Sequence, residues 1–143
     1  MGNKNNKIYK KYYKMLQNGC PTLDISQCPD LGPVLMALAA AGRGATLTGT
    51  ARLRLKESDR LRTVSDMISA LGGNITETSD GLIIRGVASL RGGVVDASGD
   101  HRIAMSGAVA ALVCDEAVTI TGAECVAKSY PSFWEEFTRL SKE

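Results

Sequence analysis

The sequence predicts an α/β (α+β) domain made of a repeated β-α-β-α-β-β unit. Two observations predict it. Segments with apolar residues at helical spacing alternate with short β-branched segments along the chain. The stretch "DISQCPDLGPVLMALAA…ATLTGTARLRLK" can also be laid over "DASGDHRIAMSGAVAAL…AVTITGAECVAK" with a shift of about 70 residues. Asp30 then meets Asp100, Thr48-Gly49 meets Thr121-Gly122, and Lys56 meets Lys128. A repeat that keeps acidic and basic positions as well as apolar ones implies that the same end of each unit is used twice.

The elements follow in order. "LDIS" reads as a strand, and "DLGPVLMALAAAG" as a helix with Asp30 as its N-cap and Gly42 and Gly44 just past its end. "ATLTGT" is a strand. Leu61, Val64, Met67, Ile68 and Leu71 mark a helix from Ser58 to Leu71, stopped by Gly72-Gly73. "NITET" and "GLIIRG" flank "SDG" and predict a hairpin. "GVVDAS" is a strand, "DHRIAMSGAVAALVC" a helix, "AVTITG" a strand, and "PSFWEEFTRLSK" a helix with Pro131 in its first turn. One unit therefore spans 23–86 and a partial second one 92–143, after a basic segment, 1–22, that stands apart. Trp134 and Phe137 read as core, and Cys114 as a small buried hydrophobe.

Composition narrows the function. The chain has 143 residues, 44% hydrophobic and 22% charged, the range of one globular domain. Its longest apolar run, "PVLMALAAAG", is too short to span a bilayer, and the start carries no secretion or myristoylation signal. The four cysteines form no CxxC pair and His101 is the sole histidine, so no metal site is expected. Free thiols suit a reducing, cytoplasmic setting. Net charge is +2, but five Lys lie in residues 1–20 without an acid, leaving the remainder slightly acidic. "KIYKKYYKMLQ" interleaves Lys with Tyr; a solvated helix or strand edge is the expected reading, ahead of a nucleic-acid contact.

The charged residues gather at particular places. Arg52, Arg54, Lys56, Glu57, Asp59, Arg60 and Arg62 crowd into one short stretch. Asp30, Lys56-Glu57, Asp100-His101-Arg102 and Lys128 all fall at a predicted strand-to-helix junction or helix start. Sites in α/β units gather at the carboxyl ends of strands, where helix N-termini favour anions. Arg offers a two-pronged match to carboxylate or phosphate, and Lys a point charge. The residues thus predict a site for small polyanions, lined by carboxylates able to move protons. Asp59 and Arg62 are read as helix-surface residues or caps.

At "CPDLGPVLMALAA", "LRLKESDRL", "GDHRIAMS" and "AKSYPSFWEEF", in this order and spacing, the chain resembles the enolpyruvyl transferases, over most of residues 24–137, while residues 1–22 match poorly. The match is to the branch acting on shikimate-3-phosphate; "KESDR" and "AKSYPSF" set it apart from the branch acting on UDP-N-acetylglucosamine. The resemblance implies an inside-out barrel of two domains, each with three β-α-β-α-β-β units, of which this chain would be part of the C-terminal one. It also implies the transfer of enolpyruvyl from phosphoenolpyruvate to the shikimate-3-phosphate 5-hydroxyl with release of phosphate, without metal or organic cofactor.

Carried over by motif, Asp30 resembles the carboxylate contacting the attacking hydroxyl, Glu57 the acid protonating the methylene carbon, and Lys56 the lysine between the substrates. Arg60 and Arg102 resemble the pair holding the phosphoenolpyruvate carboxylate, Lys128 the lysine near its phosphate, and His101 a hydrogen-bonding neighbour. Arg52 stands where the family often has a polar substrate contact. The expected partners are these two substrates and a separate N-terminal domain, with neither nucleic acid nor membrane. The chain alone is expected to fold without turning over, and to self-associate weakly through exposed edges. The alternative is a non-catalytic anion-binding or interaction domain that keeps the scaffold.

Overall fold

A computed structural model describes residues 3–56 and 58–141, with the backbone alone for residues 3–5. Its elements are α1 (Asn3–Asn18), β1 (Thr22–Asp24), α2 (Gly32–Ala41), β2 (Gly44–Thr48), α3 (Arg60–Ala70), β3 (Asn74–Glu77), β4 (Gly81–Arg85), β5 (Gly93–Asp96), α4 (His101–Ala111), β6 (Val118–Thr121) and α5 (Phe133–Ser141). From β1 to β4 the predicted β-α-β-α-β-β order is present, followed by β-α-β-α.

Pairing repeats as well. β1 and β2 run parallel, with Thr22 opposite Thr46 and Asp24 opposite Thr48; β5 and β6 run parallel, with Gly93 opposite Val118 and Asp96 opposite Thr121. β4 adds antiparallel to β2, and β3 to β4, giving the sheet order β1-β2-β4-β3. In the second sheet, β5-β6 stands as a pair among the described residues. Each unit turns identically after its first strand: the Asp24 carboxylate accepts from the Ser26 N–H at 2.9 Å, and that of Asp96 from the Ser98 N–H at 2.8 Å.

The core explains which helices lie inside. α2 is apolar nearly all round, and it is buried at Leu35, Met36, Ala37, Ala39 and Ala40 between the first sheet and α4. α4 buries Ile103, Ala104, Ala108 and Ala110. α3 is amphipathic and turns Leu61, Val64, Met67 and Ile68 inward; each large aliphatic side chain so buried contributes about 1.5–3 kcal/mol. Asp59 caps α3, its carboxylate accepting from the Arg62 N–H, and Gly72 at φ +87° ends the following turn. Arg62 pairs on the surface with Asp66. The basic segment is a helix: α1 packs Ile8, Tyr9, Tyr12, Met15 and Leu16 on the core and exposes Lys7, Lys10, Lys11 and Lys14. Among the described residues no helix is long and apolar enough to cross a membrane.

Three readings need correction. Asp30 is no helix cap; it lies in a short 3-10 turn, Pro29–Leu31, its side chain makes no cap bond, and α2 begins at Gly32. A carboxylate beside several cations gains more from them than from one backbone amide. The stretches before Lys56 and Lys128 are also 3-10 turns, Ala51–Leu55 and Ala123–Lys128, another feature both units share. Trp134 and Phe137 are half-buried rather than enclosed; Trp134 packs on a small cluster around Ala97, Ala104, Cys125 and Val126. Cys114 is likewise only half-buried.

The turn after β2 generates a test. Gly49 holds φ +68°, and a Cβ there would lie 2.4 Å from Asp24 Oδ1 and 2.9 Å from Ser26 Cβ. Gly49→Ala is expected to cost about 2 kcal/mol or more in chemical denaturation, from the left-handed backbone and the clash together. An unchanged denaturation midpoint would contradict this account of the turn.

Candidate active site

Three helix starts meet at the carboxyl ends of β1, β2 and β5, and one side chain joins them. Arg60, the first residue of α3, is 1% exposed, and Asp100, the N-cap of α4, is 0% exposed. Arg60 Nε donates to Asp100 Oδ2 at 2.8 Å and Nη2 to Asp100 Oδ1 at 3.1 Å, a two-pronged pairing. Arg60 Nη1 donates to Asp30 Oδ1 at 3.0 Å. The aspartates that the repeat equates are therefore bridged by a single guanidinium.

Further bonds fix Asp100. Its Oδ2 accepts from Ser58 Oγ at 2.8 Å, and its Oδ1 from the Arg102 N–H at 3.0 Å. Its backbone carbonyl accepts from the Ile103 and Ala104 N–H groups, so Asp100 completes the first turn of α4 on both counts. Burial works against its ionised form, but the hydrogen bonds from Arg60 and Ser58 and the Arg60 charge outweigh it, holding the carboxyl below its ordinary range.

Asp30 sits nearer the surface, with its side chain 43% exposed and cations on several sides. Lys56 Nζ lies 3.7 Å from Oδ1, Arg60 Nη1 3.0 Å from Oδ1, and Arg102 Nη2 3.9 Å from Oδ2. Burial again raises its proton affinity, and Arg102, Lys56 and Arg60 together lower it further than burial raises it. Arg102 is held loosely, at the long end of ion-pair range with its side chain 40% exposed, while its Nε and the Nδ1 of His101 are buried without a hydrogen-bond partner among the described residues. An unpartnered buried guanidine N–H at a helix start, as at Arg102, is what an anion would complete.

The predicted site residues thus largely converge. Lys56, Arg60 and Arg102 each reach Asp30, and His101 precedes Arg102 in α4. Lys128 is exposed at the end of the turn packed on α4. Lys128 and Asp100 both lie within electrostatic reach of the buried Cys125 thiol. Burial, Asp100 and Glu124 push this thiol up, and Lys128 opposes them. Glu57 lies outside the described residues. Arg60 is buried and paired with two aspartates, because a guanidinium at 1% exposure requires compensating charge. Asp100 and Ser58 are the functional neighbours that motif reading did not assign a role. The repeat, which sets Asp100 over Asp30, carried a signal for the first; nothing in the sequence singled out Ser58. Arg52 Nη1 donates to the Ser26 carbonyl at 3.4 Å, beyond the end of β1.

Comparison with known proteins accords with this geometry. The family model described as EPSP synthase (3-phosphoshikimate 1-carboxyvinyltransferase) matches residues 3–137, reaching back through the basic segment. A 3-phosphoshikimate 1-carboxyvinyltransferase from Clostridium acetobutylicum is 50% identical over 119 residues, covering 82% of this chain and 28% of that protein. One from Clostridium kluyveri is 50% identical over 122 residues, covering 85% and 29%. An EPSP synthase structure from Acinetobacter baumannii superposes with a TM-score of 0.71 at 40% identity, over 76% of this chain and 26% of that one. The chain spans little more than a quarter of the length of these relatives.

Asp100→Ala leaves Arg60 buried without its main partner and is expected to cost about 3–5 kcal/mol. Replacing both residues by Leu should cost clearly less than the two single changes added together, which a double-mutant cycle by denaturation measures. The pH dependence has a defined sign. Folded pKa values of Asp30 and Asp100 are depressed, so their stabilisation is fully present above the unfolded carboxyl range, near pH 4, and is lost as pH falls through the lower folded values. Additive single changes, or stability that holds on acidification, would contradict the ion-pair account.

Proposed function

Because the chain belongs to the EPSP synthase (3-phosphoshikimate 1-carboxyvinyltransferase) family, we propose that this cluster is its share of an enolpyruvyl transfer site. The reaction joins phosphoenolpyruvate to the 5-hydroxyl of shikimate-3-phosphate, and the complete site would include a partner domain. The observation that carries the reading is Asp30, ionised and half-exposed, within 4 Å of Lys56, Arg60 and Arg102.

The chemistry makes use of that arrangement. The hydroxyl oxygen bonds to the central carbon of phosphoenolpyruvate while the methylene carbon takes a proton. Phosphate then leaves the central carbon as one proton departs from the methyl group just formed, leaving an enolpyruvyl ether. Two phosphates and a carboxylate must share one cleft, so fixed cations are needed to offset their repulsion. Arg60, anchored by Asp100 through Nε and Nη2, presents Nη1 to the space beside Asp30, and the loosely held Arg102 approaches the same carboxylate. A substrate carboxylate arriving there draws on both guanidiniums, with His101 and Arg102 Nε as further donors. Lys128 faces the phosphoenolpyruvate phosphate, and Lys56 lies between the substrates.

Asp30 accepts the hydroxyl proton. The surrounding cations make it a weak base in the empty site; the anionic substrates offset their field and raise its proton affinity when it is needed. Glu57 delivers a proton to the methylene carbon. A domain that only bound anions would have no use for this second carboxylate, which distinguishes the reading from the non-catalytic alternative.

Two measurements test the reading. In the chain alone, inorganic phosphate or phosphoenolpyruvate should perturb amide resonances of α4 and the 123–128 turn. Arg102→Ala and Lys128→Ala should each weaken that binding severalfold, and Arg139→Ala should not. A chimera placing this chain in the matching segment of the Clostridium acetobutylicum relative should release phosphate from the two substrates, whereas the chain alone should not. In that chimera, Glu57→Gln should lower kcat at least about 100-fold with KM changed much less. A folded chimera without activity, or a Glu57→Gln variant with near-normal turnover, would refute the assignment.

A further inference from the structure

Between two buried anchors, Leu53 and Arg60, the chain runs along the surface. None of the described residues between them is buried, and Leu55 is 85% exposed. Lys56 lies in this stretch, in extended backbone just past the Ala51–Leu55 turn, and Glu57 follows it in sequence. The proposed reaction thus asks for close placement of two residues where packing holds the chain least.

The side-chain ties of this stretch are unequal. Arg54 pairs with Asp59 at 2.8 Å and with Glu77 at 3.6 Å, but all three side chains are open to solvent, where ion pairs hold little. Lys56 Nζ stands 3.7 Å from the half-exposed Asp30. Ser58 is different. Its Oγ donates to Asp100 Oδ2 at 2.8 Å, and Asp100 is fully buried and ionised, which makes the bond charge-assisted. Among the described residues of the stretch, no second side chain bonds to a buried group.

The hydroxyl is held on two sides. An ionised carboxylate only accepts, so the single Ser58 hydroxyl proton points to Asp100. The Ser58 oxygen is left as an acceptor, with Thr63 Oγ1 3.0 Å away in the first turn of α3. Asp100 keeps three hydrogen bonds apart from this one, from Arg60 Nε, Arg60 Nη2 and the Arg102 N–H. The dependence therefore runs from the buried carboxylate to the surface stretch. One rotatable bond separates the Ser58 oxygen from the backbone, so the attachment leaves little slack.

We propose that Ser58 is a positioning residue, a role that rests on the enolpyruvyl transfer proposed for this cluster: its hydroxyl pins residues 54–59 to the buried head of α4 and so sets where Lys56 and Glu57 meet the substrates.

Two measurements test it. In the chain alone, Ser58→Ala should speed amide hydrogen exchange at Leu55, Lys56 and Asp59 about tenfold, with α4 and the rest of α3 unchanged. Arg60 Nε should stay protected, because its bond to Asp100 remains. In the Clostridium acetobutylicum chimera, Ser58→Ala should lower kcat about tenfold with both KM values within about threefold. The solvent deuterium isotope effect on kcat should grow, because proton delivery to carbon becomes the slower step. Loss of folded protein would lower kcat without moving that isotope effect. Parent-like turnover of Ser58→Ala, in a chimera that Glu57→Gln impairs, would overturn the role of Ser58 and leave the proposed function standing. So would a reduced kcat with an unmoved isotope effect, or unchanged exchange at residues 55–59. Loss of Arg60 Nε protection in Ser58→Ala would also overturn it, making the serine a support of the ion pair instead. An inactive parent chimera would refute the function and this role together.

Discussion

The structure turns on where one positive charge is kept. Arg60 is buried at the start of α3, and its guanidinium is divided between Asp100 at the head of α4 and Asp30 ahead of α2. A guanidinium cannot shed its charge when buried, so the fold must supply carboxylates at fixed positions. The three helix starts are consequently tied to one point, and apolar packing of α2 on α4 and of α3 beneath the sheet has to agree with that point. Hydrophobic burial supplies most of the stability, but it is non-directional; the ion pair fixes how the ends of the helices meet.

The same tie shapes the electrostatics of the surface. Asp100 is consumed by Arg60, Ser58 and the α4 backbone, and has no capacity left for a ligand. Asp30, by contrast, pairs with Lys56 and Arg102 as well as Arg60 and remains half-exposed. Equivalent positions in a repeat have thus diverged into a structural carboxylate and one available to chemistry. Arg102, at 3.9 Å from Asp30, is the most loosely restrained member of the cluster.

Much of this was legible in the sequence. Element order, the hairpin and the buried helices follow from periodicity and glycine placement. Convergence of Asp30, Lys56, Arg60 and Arg102 follows from charged residues recurring at strand ends. What was not legible depends on distance between segments. Asp30 looks like a helix cap because Asp before an apolar run usually is one; only the approach of Arg60, thirty positions on, redirects it. Ser58 carries no mark that it will reach Asp100 forty-two positions away. The half-burial of Trp134, Val118 and Ile120 was equally hidden, since local pattern shows which face is apolar and not what covers it.

The central claim is that Arg60 is an internal tie whose Nε stays bound to Asp100 whether or not an anion is present. Side-chain ¹⁵N NMR addresses it directly, by following hydrogen exchange at the arginine Nε groups before and after saturating phosphate. The account predicts one strongly protected Nε, lost in Arg60→Lys and unmoved by phosphate, while that of Arg102 shifts on binding. Exchange at Arg60 as fast as at the exposed Arg62, or a large phosphate-induced change at Arg60 Nε, would contradict it.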